Sequence, residues 1–167
     1  FLNITRVEQG RMQYEIAPTD LAVIVRDVMS ELQSTISSSG LAVEMSVPIE
    51  PVMVMADAGK IRQVILNLVD NAIKYTPKGA VHIALGRKDG KVTFSVHDTG
   101  IGIPKSFNAQ LFGKFNRADN SMKVQANGSG IGLYLAKEIL KAHKGRIWAE
   151  SGGEGKGSTF FAELPSA

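Results

Sequence analysis

The sequence predicts an α+β fold: a two-layer sandwich of one mixed, largely antiparallel sheet with helices on one face. Three observations carry the prediction. Asp57–Tyr75 and Leu133–His143 hold apolar stripes at helical spacing, Ile61, Val64, Ile65, Leu68 and Ala72 in one, Leu133, Ala136, Ile139 and Leu140 in the other. Between them, Ala80–Arg87 and Lys91–His97 alternate as strands and meet at Asp89-Gly90, a strong hairpin signal. Helical and extended segments are interleaved along the chain.

Taken in order, Phe1–Glu8 reads as the tail of a helix, stopped at Gly10 and too short to be stable alone. Met12–Ile16 alternates like a strand. Thr19 or Asp20 then caps a helix to about Ser38, with Leu21, Ile24, Val25, Val28, Met29 and Leu32 facing inward, and Ser37-Ser38-Ser39-Gly40 ends it. Leu41–Val47 and Val52–Met55 are short strands around Pro48 and Pro51. The helix that follows starts on the N-cap Asp57. After the hairpin, the pattern breaks at DTGIGIP, Asp98–Pro104, and stays polar and irregular from Lys105 to Asn127, apart from an apolar turn at Leu111, Phe112 and Phe115. NGSGIG, Asn127–Gly132, opens the last helix. Gly145 closes it, and Arg146–Glu150 and Ser158–Leu164 are the closing strands.

At 167 residues the chain fits one domain with a substantial core. A hydrophobic share of 44% and a charged share of 21% are ordinary for a soluble protein. A net charge of +3 and a pI near 9.2, with no basic run, do not argue for nucleic acid. The absence of cysteine excludes disulfides and thiolate metal sites and is compatible with a reducing compartment. No apolar run approaches membrane-spanning length. The chain opens on Phe1 without an initiator Met and reads as part of something longer.

Four features carry chemistry. On the Asp57 helix, Asn67, Asn71 and Lys74 are spaced to share one side, with Tyr75 one turn beyond Asn71. Asn is a poor mid-helix residue, and its amide oxygen can ligate Mg²⁺, a cation usually shared with substrate phosphates. Taken alone, this helix leaves a solvated polar edge equally open. The second feature is Asp98, at a strand end before Thr99-Gly100-Ile101-Gly102. It is placed to accept from an exocyclic amine such as that of adenine, although Asp in a tight turn is common by itself.

The third is Gly128-Ser129-Gly130-Ile131-Gly132 at a helix start, an anion-binding arrangement without the P-loop or Rossmann pattern. The fourth is the intervening segment, a lid whose Lys105, Lys114, Arg117 and Lys123 outnumber Asp119 and suit a polyphosphate. Together they describe an adenine anchor, a metal ligand and a phosphate cradle.

NLVDNAIKYTP (residues 67–77), DTGIGIP, LFGKFNRAD (111–119) and GSGIGLYLAKEI (128–139) resemble, in order, the N box, first glycine box, F box and second glycine box of bacterial sensor histidine kinases. GKGSTFFAELP (155–165) resembles the closing strand of their ATP-binding catalytic domain, which has the Bergerat fold of the GHKL superfamily. FLNITRVEQGRM resembles the end of the second helix of the dimerisation and phosphoacceptor domain. The resemblance implies that 1–10 ends that upstream domain and that 11–167 is the catalytic domain, with its lid at about 105–129.

It further implies that Asn71 ligates Mg²⁺ with Asn67 beside it, that Lys74 reaches a phosphate, and that Tyr75 meets the sugar or adenine. Asp98 accepts from the adenine amine. Gly100, Gly102, Ile103, Gly128, Ser129, Gly130, Gly132 and Leu133 shape the pocket and lid ends. Phe112 and Phe115 anchor the lid, Arg117 faces the phosphates, and Thr159 lies near the adenine. Asn71, Lys74 and Arg117 form the catalytic set, and ATP and Mg²⁺ are the expected ligands.

GHKL relatives that hydrolyse ATP or phosphorylate serine carry a Glu one turn before the metal-binding Asn. Asn67 stands there instead, which suits a His acceptor that needs no base. None of His82, His97 and His143 lies in an H-E-x-x-T-P context, so the acceptor His is expected on a separate domain missing from this chain. The expected partners are that domain and a response regulator, with no nucleic acid and no membrane contact, in a monomeric cytoplasmic fragment whose parent is a possible membrane-anchored sensor. The rival readings are a GHKL ATPase or serine kinase, and a degenerate nucleotide-binding module.

Overall fold

The computed structural model describes Arg6 and residues 9–113 and 132–167. Its elements are β1 (Ala17–Asp20), α1 (Leu21–Glu31), α2 (Gln33–Ser39), β2 (Ala42–Ser46), β3 (Met53–Ala56), α3 (Ala58–Lys74), β4 (Ala80–Lys88), β5 (Lys91–Asp98), a 3₁₀ turn (Lys105–Gln110), α4 (Gly132–Ala142), β6 (Arg146–Glu150) and β7 (Ser158–Pro165). Five strands form one sheet in the order β2-β4-β5-β7-β6, where β2 runs parallel to β4 and the other pairs are antiparallel. The predicted α+β sandwich is the observed fold.

Strand alternation decides which face is covered. Val81, Ile83 and Leu85 of β4, Val92, Phe94 and Val96 of β5, and Phe160, Ala162 and Leu164 of β7 are buried. Their neighbours point to the opposite face, which is open. The helices lie on the buried side. On α3, Ile61, Val64, Ile65, Leu68, Val69, Ala72 and Ile73 are buried, and each large aliphatic side chain contributes about 1.5–3 kcal/mol. The Asp57 carboxylate caps this helix through the Lys60 N–H at 3.1 Å. On α4 the buried residues of the first turns are Leu135 and Ala136, while Leu133 is half-buried against the core.

Three local expectations need correction. Residues 11–16 are not a strand; the strand is β1, antiparallel to β3 in a separate two-stranded sheet. Pro18 is tolerated there because a two-stranded ribbon has free edges that need no N–H. The helix capped by Asp20 does not run unbroken to Ser38. It leaves helical geometry at Leu32 (φ −85°, ψ 3°), just before the Ser/Thr-rich stretch Gln33–Ser39, whose hydroxyls compete for backbone, as Ser39 Oγ does by donating to Ile36 O at 2.6 Å. The stretch after Pro104 opens as a 3₁₀ turn rather than irregular chain.

The hairpin turns at Asp89 and Gly90, both left-handed (φ 53° and 75°), as a two-residue turn of the I′ type requires. Gly145 does close α4, but Lys144 takes the left-handed position (φ 61°). The Gly145 N–H bonds Leu140 O at 2.8 Å and Lys144 N–H bonds Lys141 O at 3.1 Å, a Schellman closure. Gly145 has to be glycine because a Cβ there would run into the Glu163 carbonyl of β7.

Candidate functional site

Asp98 continues the buried row Val92, Phe94, Val96 to the end of β5, so the alternation that builds the core also buries a carboxylate, to 3% exposure. Its Oδ1 accepts from Gly100 N–H at 2.9 Å and its Oδ2 from Ser158 Oγ at 2.9 Å. Ser158 stands directly opposite Asp98 in the β5–β7 register. Burial pushes the Asp98 carboxyl above its ordinary value, against the opposing pull of these two bonds and of His97. A carboxylate has about four lone-pair positions; the Gly100 and Ser158 donors among the described residues leave acceptor capacity for an amine.

The turn after Asp98 is fixed by two neighbours. The Ile101 N–H donates to Tyr75 O at 3.0 Å, and Gly100 packs so closely on that carbonyl that no Cβ would fit. On the other side, Ile101 O accepts from Gly155 N–H at 2.7 Å, Gly100 O from Gly157 N–H at 3.2 Å, and Ser151 Oγ from Ile103 N–H at 3.1 Å. Gly102 is left-handed (φ 73°) and abuts the Gly153 carbonyl. Ile103 is buried in the core. Beneath the turn, Thr76 is 2% exposed and its hydroxyl has no partner among the described residues.

The edge of α3 brings further predicted residues to the same end of the molecule, since Tyr75 follows α3 directly. Asn67 and Asn71 are half-buried. Asn67 Nδ2 donates to Gly132 O, the first residue of α4, at 3.2 Å, while Asn71's carboxamide has no partner among the described residues. Lys74 Nζ pairs with Asp70 Oδ2 at 2.9 Å. Among the described residues no group of three or more His, Asp or Glu could hold a metal. A lone free carboxamide completed by ligand oxygens therefore fits Mg²⁺, which rarely uses an all-protein cage.

Phe112 meets the ring of Phe160 edge-on, with centroids 6.2 Å apart, so the segment after the 3₁₀ turn is seated on β7. Thr159 is not beside Asp98. Its hydroxyl lies on the open face, 2.8 Å from His97 Nδ1; the hydroxyl that reaches Asp98 is that of Ser158. Phe115, Arg117, Gly128, Ser129 and Gly130 lie outside the described residues. Of the loop 151–157, only residues 155–157 are read from the sequence, as the start of the closing-strand motif; the SGGEGKG composition is the signal for the rest.

Residues 56–167 match the model of the histidine kinase-, DNA gyrase B-, and HSP90-like ATPases. The chain is 35% identical over 167 residues to the circadian input-output histidine kinase CikA of Synechococcus elongatus, covering 98% of this chain and 22% of that protein. It is 40% identical over 166 residues to the adaptive-response sensory kinase SasA of a Synechococcus strain, covering 98% of this chain and 43% of the relative. It thus spans less than half the length of these relatives. Among solved structures, full-length ShkA in complex with AMPPNP superposes with a TM-score of 0.82 at 30% identity, over 99% of this chain and 34% of that one. The nucleotide-free catalytic domain of histidine kinase ThkA gives 0.78 at 29% identity, over 90% and 97%.

Proposed function

The chain belongs to the histidine kinase-, DNA gyrase B-, and HSP90-like ATPase family, as a histidine kinase catalytic domain, and on that premise we propose that it binds Mg-ATP and passes the γ-phosphoryl group to a histidine on a separate helical domain of its parent protein. The observation that carries the reading is Asp98: a buried carboxylate with acceptor capacity to spare, held by Ser158 and Gly100 beside the end of α3.

In this reading Asp98 accepts from the adenine amine, and the turn Gly100–Ile103 fits its backbone against the base. Asn71, whose carboxamide has no partner among the described residues, holds Mg²⁺, and Lys74 leaves Asp70 to meet a phosphate. Arg117 and the glycines at 128, 130 and 132 close on the polyphosphate, and Phe112 seats the lid. Bound Mg²⁺ would neutralise phosphate charge. The residues themselves position the nucleotide and exclude water. Asn67 is engaged as a donor to Gly132 O and carries no carboxylate to activate water, which suits an acceptor imidazole with its own lone pair. Residues 11–167 form the catalytic domain, 1–10 end an upstream helix, and a response regulator and cytoplasmic location complete the proposal. Among the described residues no helix is long and apolar enough to cross a membrane.

The test is transfer of label from γ-labelled ATP to a separately prepared dimerisation and phosphoacceptor domain of a SasA-type kinase. Acid-labile, base-stable label on that acceptor, and none on this chain, is expected. Label on this chain, or steady hydrolysis without acceptor, would contradict the proposal.

A further inference from the structure

His143 is buried, to 6% exposure, and lies at the end of α4 opposite Gly132. The site described above makes no use of it. Both its ring nitrogens are engaged: Nε2 lies 3.0 Å from the Asp57 backbone nitrogen, and Nδ1 lies 2.7 Å from Ile139 O. An amide N–H can only donate and a carbonyl can only accept, so these partners select one form of the ring, neutral with the proton on Nδ1. The Tyr14 ring packs edge-on against it, with centroids 5.3 Å apart. Asp57 is the N-cap of α3, and its carboxylate also accepts from Glu15 N–H at 2.9 Å. One imidazole thus joins the end of α4, the start of α3 and the segment 14–15.

The two helices have a second tie of the same kind, Asn67 Nδ2 to Gly132 O. Asp57 to Asn67 is ten residues along α3 and Gly132 to His143 is eleven along α4, about 15 and 16 Å at the helical rise. The helices are antiparallel, and matched spans let both ties close at once. The Asn67–Gly132 tie lies at the nucleotide end of the pair and the Asp57–His143 tie at the far end.

We propose that His143 is a positioning residue of the nucleotide site: by clasping the end of α4 to the Asp57 N–H it fixes the register of α4 against α3, and hence where Gly132 stands relative to Asn67 and Asn71. This rests on the nucleotide reading of that site. The clasp is a polar contact of fixed direction at the end of the helix pair away from Asn67, and apolar packing alone tolerates sliding that a directed bond does not.

Two conservative variants separate the clasp from local capping. In His143→Gln the terminal amide reaches the place of Nε2 and can accept from Asp57 N–H. In His143→Asn the amide reaches only the place of Nδ1 and can serve Ile139 O alone. Affinity for AMPPNP with Mg²⁺ is measured by calorimetry, and the Asn67 side-chain amide is followed by ¹H–¹⁵N NMR without nucleotide. His143→Gln is expected to bind within about twofold of the unsubstituted chain, and His143→Asn about three- to tenfold more weakly, the range of one buried hydrogen bond. The Asn67 resonance is expected to shift in the Asn variant alone.

Equal affinities and unmoved Asn67 resonances in both variants would overturn the proposal, as would an unfolded Asn variant beside a folded Gln variant, which would make the role global. If the unsubstituted chain binds no AMPPNP, the nucleotide reading fails, and the NMR comparison still decides the clasp.

Discussion

Ser158 Oγ donates to Asp98 Oδ2 at 2.9 Å, from the position directly across the β5–β7 ladder. The contact joins the closing strand to the carboxylate on which the nucleotide reading depends. It also helps hold ionised a group that burial pushes toward the neutral form.

Ser158→Ala removes that hydroxyl donor and leaves the backbone N–H donors of Gly100 and Ser158 to the carboxylate. The Asp98 carboxyl is then expected to rise further. Affinity for AMPPNP should fall by up to about tenfold at neutral pH, the range of one buried hydrogen bond. Its acid-side loss should begin at higher pH than in the unsubstituted chain. Calorimetric titrations at a series of pH values check both.

Stability and binding should respond to acid in opposite directions at Asp98. Its carboxyl is raised above the ordinary 3.8 in the folded chain, so the folded state binds this proton more readily than the unfolded state. The contribution of Asp98 to stability is therefore least at neutral pH. It grows as pH falls through the raised folded value and is complete below 3.8. Binding, which uses the ionised form, is lost over the same interval. Asp98→Asn should abolish this contribution and be no less stable than the unsubstituted chain at pH 7. Urea unfolding of both proteins from pH 7 to pH 4 measures it.

Gly102→Ala should destabilise the domain. It places a Cβ on a left-handed residue, φ 73°, against the Gly153 carbonyl, and left-handed strain alone costs about 1–3 kcal/mol. Thermal unfolding should show a clear fall in midpoint, whereas Gly90→Asn, in an open left-handed turn position with nothing within 4 Å, should change it little.

Lys74 and Asp70 form a half-exposed pair one helical turn apart, worth only about 0.3–0.5 kcal/mol. Asp70→Asn should leave stability nearly unchanged and leave AMPPNP affinity equal or improved, because it releases the ammonium. Lys74→Ala should weaken AMPPNP but not adenosine. Paired titrations with the two ligands separate a phosphate contact from a base contact.

Much of this architecture was legible in the residues. The stripe of α3, the caps Asp20 and Asp57, the Asp89-Gly90 turn and the strand-end Asp98 each depend on local rules that the three-dimensional context left standing. That Ser158 rather than Thr159 reaches Asp98 is not legible in the residues because Phe160 and Phe161 are both aromatic. With neighbours alike, alternation cannot say which phase of β7 faces inward; the ladder settles it by pairing Asp98 with Ser158. Beyond its glycine-rich composition, the role of the loop 151–157 is not legible, because it pairs main-chain N–H groups with Gly100 and Ile101 and those leave no side-chain signature. The break at Leu32 carries neither Gly nor Pro. The tie between Asp57 and His143 spans 86 positions, beyond any helical or strand period.

The most direct measurement is calorimetric titration of the chain with AMPPNP, with and without Mg²⁺, beside Asp98→Asn. Micromolar to sub-millimolar binding that Mg²⁺ strengthens and Asp98→Asn weakens by at least about tenfold is expected, as for loss of a charged hydrogen-bond acceptor. Equal binding by the two proteins would contradict the assignment of Asp98 as the base anchor, and no binding by either would contradict the nucleotide site itself.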